Sequence, residues 1–298
     1  MNSCKILKRR TLFYLYDKSE IYSFGYLIKK YGFYPRFLPM PVLTDHSAPN
    51  FLDKLNHNEI PENRIDFLTH THLKSSLYKS IKKGRSYIMY PPFLYANKLY
   101  SKPLSKLEAR WITIFPKHQK QIGHDTTENE YDFNSILKFI EYLKNSFGNT
   151  YIRVCLHCHD YQRGIHKVFE DKGVRVVTAG NSMDDNFAFN FLVILRTSKL
   201  IYGNQIGSIF LYATLFEIEY KLINSMPVLG LQGYVDRKYV SYLESGRSNL
   251  NLTFRQKLID SFFPTEDSIS RLRLSVVLWK NFLSVATLKT LKKKMLNV

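Results

Sequence analysis

The second half of the chain, from about residue 107, alternates short apolar runs with segments of helical periodicity. The apolar run Trp111–Phe115 comes first, and Phe133–Phe147 then repeats apolar residues at helical spacing. Further strands are predicted at 151–156, 174–178 and 199–202, and further helices at 163–172 and 186–197. Strands that alternate with helices predict an α/β fold, with a parallel sheet and helices on both faces.

A turn of small residues follows the predicted strand 199–202 and leads into a helix that begins near Gly207 and Ser208. The N-terminus of such a helix offers free backbone N–H groups and a positive dipole end, which suit a phosphate. Taken alone, this turn is explained better as an ordinary connection with Ser208 near a helix N-cap.

Polar residues also follow the other predicted strands, at the edge where the carboxyl ends of parallel strands meet. Along the chain these residues are His118, 157–160, Gly180 with Asn181, and 204–208. The connections at the opposite edge, at 149–150, 172–173 and 198, are bland by comparison. This asymmetry indicates a ligand-binding edge.

Residues 1–105 show a weaker pattern, with a helix predicted at 21–30 and strands at 12–16 and 86–90. An extended apolar run ends on Asp45 and His46. A carboxylate beside a histidine can act as a general base. A surface turn explains the same pair equally well, so both interpretations stay open.

The tail, from residue 265 to 298, predicts a helix that starts after an acidic, capping segment and ends in lysines. Its apolar positions are Leu272, Val276, Trp279, Phe282 and Leu283. One interpretation packs this apolar face against the fold and leaves the lysines in solvent. The other places a basic, amphipathic helix on an acidic membrane face.

Basic residues outnumber acidic ones, 43 to 25, which gives a formal net charge of +18. This charge favours an anionic partner, which could be a nucleic acid, an acidic membrane surface or a phosphorylated substrate. Three cysteines do not suggest a disulfide framework and fit a reducing compartment. No apolar window is long enough to span a bilayer, so we expect a cytoplasmic protein, with peripheral binding at the inner membrane face as a further option.

Several signatures of other protein classes are absent from the sequence. It has no Gly-x-Gly-x-x-Gly, no Gly-x4-Gly-Lys-Ser/Thr and no Gly-x-Ser-x-Gly. Dinucleotide oxidoreductases, P-loop NTPases and α/β-hydrolases are therefore disfavoured. Neither zinc-finger spacing nor an RNP-like strand is present, so no specific nucleic-acid partner is indicated.

Cysteine and histidine alternate over residues 155–159, which invites a metal interpretation. The spacing is compressed and no second pair of ligands accompanies it, whereas structural zinc sites use two well-spaced pairs. If the segment were a strand, Cys158 would face away from Cys155, His157 and His159. We therefore predict no metal site.

Four segments of the second half share a pattern with one known family. They are 114–118, 154–164, 177–187 and 203–212. Together they resemble the nucleotide-binding half of the GT-B-type glycosyltransferases of bacterial capsule and lipopolysaccharide biosynthesis. Asp45 and His46 resemble an Asp-His element in the first half of those proteins. The chain departs from the family pattern at Lys117, Gln119 and Ser208.

The resemblance implies two Rossmann-like domains that face each other across a cleft. Residues 1–105 would form an N-terminal, acceptor-side α/β domain, and 106–264 the domain that binds the sugar nucleotide. Residues 265–298 would form a basic amphipathic helix that crosses back to the first domain. The implied reaction moves a sugar from a nucleotide-activated donor to a glycan or lipid-linked acceptor, without a metal or other cofactor.

The resemblance also implies roles for individual residues. Asp45 would deprotonate the acceptor, with His46 orienting or replacing it, and His118 would assist the leaving phosphate. Asn181 and Asp185 would reach the nucleoside of the donor. The phosphate contacts would be Asn204, Gly207 and Ser208, and further candidates at the same edge are His157, Asp160 and Arg163.

Two other classes of function stay open. One is a sugar-nucleotide-binding relative that is not a transferase, such as an epimerase-like hydrolase, and turnover of the donor without an acceptor would identify it. The other is a basic nucleic-acid-binding protein. Salt-dependent binding of random duplex, without any response to sugar nucleotides, would favour that class.

Overall fold

The computed structural model describes residues 21–45, 55, 60, 65–81, 84–116, 133–147, 151–203, 208–223 and 269–296. Its strands are β1 (Leu43–Thr44), β2 (Phe67–Thr69), β3 (Ser86–Ile88), β4 (Trp111–Phe115), β5 (Ile152–Cys155), β6 (Arg175–Val177), β7 (Ser198–Gly203) and β8 (Glu219–Leu222). Its helices are α1 (Phe24–Tyr31), α2 (His72–Ser80), α3 (Pro92–Leu99), α4 (Ser101–Leu104), α5 (Phe133–Phe147), α6 (Cys158–Gln162), α7 (Ile165–Glu170), α8 (Phe187–Arg196), α9 (Ser208–Leu215) and α10 (Arg271–Leu296).

The second half forms a five-stranded parallel sheet, which confirms the prediction from the alternating pattern. The strand order is β6-β5-β4-β7-β8, and every neighbouring pair is parallel. The chain adds strands on one side of β4 up to β6 and then returns to its other side with β7. This reversal is typical of Rossmann-like sheets, whose ligands bind outside the carboxyl ends of the strands at the point of reversal.

Burial on both faces explains why the central strands β4 and β5 are largely apolar. All four residues of β5 are buried. Ile112 and Ile114 of β4 share a core cluster with Ile136 and Ile140 of α5. The predicted bounds of β4 and α5 match the structure, and those of β5, α7, β6, α8 and β7 agree within two residues at each end.

The charged side chain of Arg153 on β5 is buried in this half. Its guanidinium donates to the carbonyl of Ile194 at 2.6 Å and to the hydroxyls of Thr113 and Thr197 at 2.9 and 2.7 Å. It therefore lies against the C-terminal end of α8, where a helix presents partial negative charge. Burial lowers the pKa of Arg153 to about 10.

The first half forms a smaller parallel sheet of order β1-β2-β3, with strands of two or three residues. The predicted helix at 21–30 and strand at 86–90 correspond to α1 and β3. The helices α2 and α3, and the edge strand β8 of the larger sheet, were not predicted from sequence. The strand predicted at 12–16 lies outside the described residues.

The two halves share a hydrophobic core cluster. Phe93 of α3 joins them, because its ring centroid lies 5.4 Å from that of Phe24 in α1 and 4.9 Å from that of Phe191 in α8. The ring of Tyr212 in α9 is 4.8 Å away. The Ser23 hydroxyl adds polar contacts from the first half to two backbone groups around the start of α8.

The long helix α10 packs against the end of α1. The absent side chain of Gly32 makes room for it, since an added Cβ would lie 3.0 Å from Leu278 and 3.1 Å from Leu274. The Arg271 guanidinium donates to the carbonyl of Tyr31 at 3.0 Å. The helix therefore contacts the first half of the chain, although it follows the second half in sequence.

The face of α10 that packs differs from the face that the sequence suggested. Its buried residues include Leu274, Val277 and Leu278. Four of the five apolar residues grouped from sequence are exposed instead: Leu272, Val276, Trp279 and Leu283. Among the described residues, no helix combines the length and the apolar character that crossing a bilayer requires.

Candidate functional site

The carboxyl end of β5 places His157 at the start of the short helix α6. The Nδ1 atom of His157 accepts the backbone N–H of His159 at 3.3 Å, so this imidazole serves as the N-cap. Cys158 and Asp160 are buried, whereas His159 and Arg163 are exposed. A ligand at this edge can reach the two histidines and Arg163 more readily than Asp160.

This helical start brings three metal-binding groups together. The ligand atoms of His157, Cys158 and His159 lie within 4.8 Å of one another, and Cys158 Sγ is 3.9 Å from His157 Nδ1. The strand considered for this segment would have pointed Cys158 away, but the strand ends at Cys155. Two imidazoles and a thiolate suit zinc or a similar transition metal, so these residues could hold one. The expectation of no metal site stays a prediction.

The turn after β6 contains Asn181 and Asp185, the predicted nucleoside contacts. Gly180 adopts a φ of 94°, which favours glycine. The Asn181 side-chain oxygen accepts the backbone N–H of Met183 at 2.9 Å, and Asp185 forms an ion pair with Arg36 of the first half. Both side chains are accessible to solvent, and each already has a partner that a nucleoside would have to share or replace.

The carboxyl end of β7 lies beside β4, where the strand order reverses. A side chain at Gly203 would meet a ring carbon of Tyr220 at 2.8 Å, which requires glycine at the end of β7. Ser208 is half-buried and is the first residue of α9. Four predicted site residues lie outside the described residues: His46, His118, Asn204 and Gly207.

Asp45 lies at the carboxyl end of β1 and is fully buried, rather than on a surface turn. Its carboxylate forms an ion pair with Lys74 of α2, whose side chain is also buried. The Thr69 hydroxyl donates to the same carboxylate at 3.1 Å. Sequence reasoning missed Lys74, for which the available signal was a lysine one turn after the capping residue Thr71.

Tyr212 of α9 is close enough to Asp45, at the carboxyl end of β1, for the two groups to interact electrostatically. This tyrosine is buried, and its hydroxyl has no hydrogen-bond partner within the described part of the chain. Burial raises the pKa of Tyr212 well above its ordinary value, and the negative charge of Asp45 raises it further. The end of β1 in the first half therefore lies near the helix that follows β7 in the second.

A second contact joins the two halves beside β5 and β6. The backbone N–H of Tyr22 donates to the carbonyl of Ser182 at 2.5 Å. Burial raises the Tyr22 pKa, and the nearby Cys158 raises it further. The segment before α1 thus lies next to the loops that carry His157 and Asn181.

Comparison of the chain with family models, with curated proteins and with solved structures finds no match. The fold alone therefore classifies the protein, as a parallel α/β protein with Rossmann-like strand order.

Proposed function

We propose that the chain is a GT-B-type glycosyltransferase that moves a sugar from a nucleotide-activated donor to a bacterial surface glycan. The donor would lie at the carboxyl edge of the five-stranded sheet, and the acceptor would approach from the first half. This proposal starts from the family resemblance of the four sequence segments. The reaction would need no cofactor bound to the protein.

One observation carries the proposal: the first half contacts the carboxyl edge of the larger sheet, where the backbone N–H of Tyr22 donates to the carbonyl of Ser182 in the loop after β6, and Asp45 interacts electrostatically with Tyr212 of the helix after β7. Parallel α/β sheets bind ligands outside the carboxyl ends of their strands. A first half in contact with this edge can hold an acceptor beside the donor. Holding two reactants in the correct geometry is itself a large part of catalysis for a two-substrate reaction.

The donor phosphate would bind at the N-terminus of α9, where Ser208 and free backbone N–H groups favour negative charge. Asn181 and Asp185 would contact the nucleoside. His157, His159 and Arg163 would lie along the same edge and supply positive charge or donors. Asp45 would act on the acceptor hydroxyl, with His46 and His118 in the roles implied by the resemblance.

The buried ion pair of Asp45 and Lys74 favours one alternative, a sugar-nucleotide-binding relative that is not a transferase. An acceptor hydroxyl must come within hydrogen-bond distance of its base. Asp45 has no exposed surface and is already neutralised by an ammonium group. As a transferase, the protein would have to open this pair when the acceptor binds.

Thermal denaturation with a panel of nucleotides and nucleotide sugars tests the donor site. We expect one nucleotide to raise Tm, because a ligand that binds the folded state stabilises it. Ser208→Ala should weaken its binding about tenfold, since a hydrogen bond to a charged group is lost. The matched control is Ser101→Ala, an exposed serine at the start of α4.

Two outcomes contradict the donor site: no nucleotide raises Tm, or Ser208→Ala binds the nucleotide as tightly as the native chain. Nucleotide release then separates the remaining classes. Release that requires a glycan acceptor supports a transferase, whereas release into water alone supports the hydrolase-like relative. Binding of random duplex with no response to nucleotides supports the nucleic-acid class.

A further inference from the structure

The helix α10 has two apolar faces on opposite sides. One face is buried against the first half of the chain through Leu274, Val277 and Leu278. The other is the apolar stripe, which consists of Leu272, Val276, Trp279 and Leu283. These four residues are 77, 58, 37 and 58 % exposed. Their spacing of four, three and four residues aligns them along one side of the helix.

Exposed aromatic residues lie beside this stripe. Phe33 is 67 % exposed and lies under the Arg271 guanidinium, 4.2 Å from it. The ring of Tyr34 is 5.2 Å from that of Trp279, and Phe37, a few residues further along the same loop, is 83 % exposed. The loop after α1 therefore contacts α10 along the apolar stripe, and exposed apolar residues grouped in this way mark an interaction surface.

The charge of α10 indicates the chemistry of the partner. The helix contains seven basic residues and no acidic residue. Arg271, Arg273 and Lys280 are exposed along it. The lysines at positions 289 and 292–294 add to the same sign of charge, as does the net charge of +18 for the chain. An apolar surface flanked by positive charge matches an anionic lipid surface, which offers both acyl chains and negative headgroups.

We propose that the apolar stripe and the adjacent Phe33 bind an anionic membrane surface, with α10 lying in the plane of the bilayer interface. The apolar side chains enter the headgroup region, and Trp279 takes the interfacial position that tryptophan prefers. The basic residues bind the lipid headgroups. This inference does not depend on the proposed reaction, because it uses no residue of the candidate site.

Sedimentation with lipid vesicles tests this surface. The native chain is expected to sediment with vesicles of mixed phosphatidylcholine and phosphatidylglycerol but not with phosphatidylcholine alone. Leu272→Gln, Val276→Gln and Leu283→Gln combined should reduce partitioning at least about tenfold, because the apolar contacts are lost while helix propensity is kept. Arg271→Gln, Arg273→Gln and Lys280→Gln combined should reduce it to a similar extent.

The matched control replaces three exposed apolar residues of α5 and α7, with Tyr142→Gln, Phe147→Gln and Val168→Gln, and should sediment as the native chain does. In the Trp111→Phe background, the emission of Trp279 should shift to shorter wavelength when anionic vesicles are added. This readout reports the environment of the stripe and needs no activity assay.

Three results overturn the proposal. The first is that the native chain binds no vesicles, or that the stripe variant binds them as well as the native chain does. The second is a native dimer that the stripe variant makes monomeric without any vesicle binding, which would identify a second copy as the occupant. The third is a marked fall in Tm for the stripe variant, which would mean that the chain itself covers these side chains.

Discussion

The polar side chains at the carboxyl edges of the two parallel sheets differ in their exposure to solvent. In the first half, Asp45, Lys74 and Thr69 are buried, and the Asp45 carboxylate binds both of the other side chains. In the second half, His159 and Asn181 reach solvent. The first edge is thus a closed electrostatic unit whose geometry is fixed before any ligand arrives. The second is an open edge that can bind one, and a ligand between the two would depend on both properties.

The largest expected effect comes from opening the closed edge. Lys74→Met leaves the Asp45 carboxylate buried without its counter-charge and should cost about 3–5 kcal/mol of unfolding free energy. Urea denaturation measures this loss. The double variant with Asp45→Asn should recover a large part of it, because the uncompensated charge is then gone.

The matched control is Lys221→Met, which removes the lysine of a partly exposed pair with Glu219. Such a pair contributes about 0–1 kcal/mol. If Lys74→Met cost no more than this control, the first edge would be open to water and the contrast between the two sheets would disappear.

A smaller effect should follow from weakening the core that the two halves share. Phe93→Leu removes ring contacts with Phe24 and Phe191 and should cost roughly 1–3 kcal/mol. The chain has two tryptophans, Trp111 in the larger sheet and Trp279 on α10, so variants with a single tryptophan report the two regions separately. In the native chain, both reporters should show coincident unfolding transitions, because the core is common.

Separate transitions in the otherwise native chain would contradict the shared core. Phe93→Leu sharpens the test, since weakening the junction should shift both transitions together. A shift confined to one tryptophan would show that the halves are stabilised independently. Val168→Leu, a change at an exposed apolar residue of α7, serves as the control and should move neither transition.

An effect of about 1 kcal/mol is expected at alkaline pH from the buried end of β5. Burial raises the pKa of Cys155 to about 12, above its ordinary value of 9.0. The folded chain therefore keeps the thiol proton that the unfolded chain releases, and the stability is lost as pH rises from about 9 towards 12.

Comparison of the native chain with Cys155→Ala at pH 8 and pH 10 isolates this contribution. The stability difference between the two chains should fall by about 1 kcal/mol in favour of the alanine variant over that interval. If the stability difference were the same at both pH values, the Cys155 thiol would ionise as it does in water. The end of β5 would then be open to solvent.

The smallest effect should come from the ion pair that crosses the open edge. Arg36→Gln removes the partner of Asp185, but the arginine side chain is 73 % exposed. Such pairs contribute about 0–1 kcal/mol, less at high salt. Denaturation at two salt concentrations measures it, with Lys106→Gln, at an exposed lysine, as a control for loss of charge. A cost as large as that of Lys74→Met would place a buried contact at this edge as well.

The larger sheet could be predicted because its strands and helices each carry their own signal. Trp111–Phe115 is a continuous apolar run, and Phe133–Phe147 repeats at helical spacing, so local sequence determined both. The first sheet could not be predicted in the same way. Its strands have two or three residues, too few to show alternation, and they form through pairing with distant neighbours such as Leu43 with Phe67.

The sequence predicted which strand ends carry the candidate site, but not which of its side chains contact one another. The polar residues after β5, β6 and β7 follow strand ends, which the pattern located. The pairing of Asp45 with Lys74 joins positions 29 residues apart through a helix that the sequence did not reveal. Periodicity could not show which of the two apolar faces of α10 is buried, because the buried face packs where Gly32 has no side chain.

The packing of α10 against Gly32 has a consequence for folding during translation. The hydrogen bond from Arg271 to Tyr31 joins positions 240 residues apart. During translation, the surface around α1 therefore emerges long before the helix that covers it. Until α10 has been made, apolar groups around Gly32 stay uncovered in the nascent chain, which is the situation in which newly made proteins depend on chaperones.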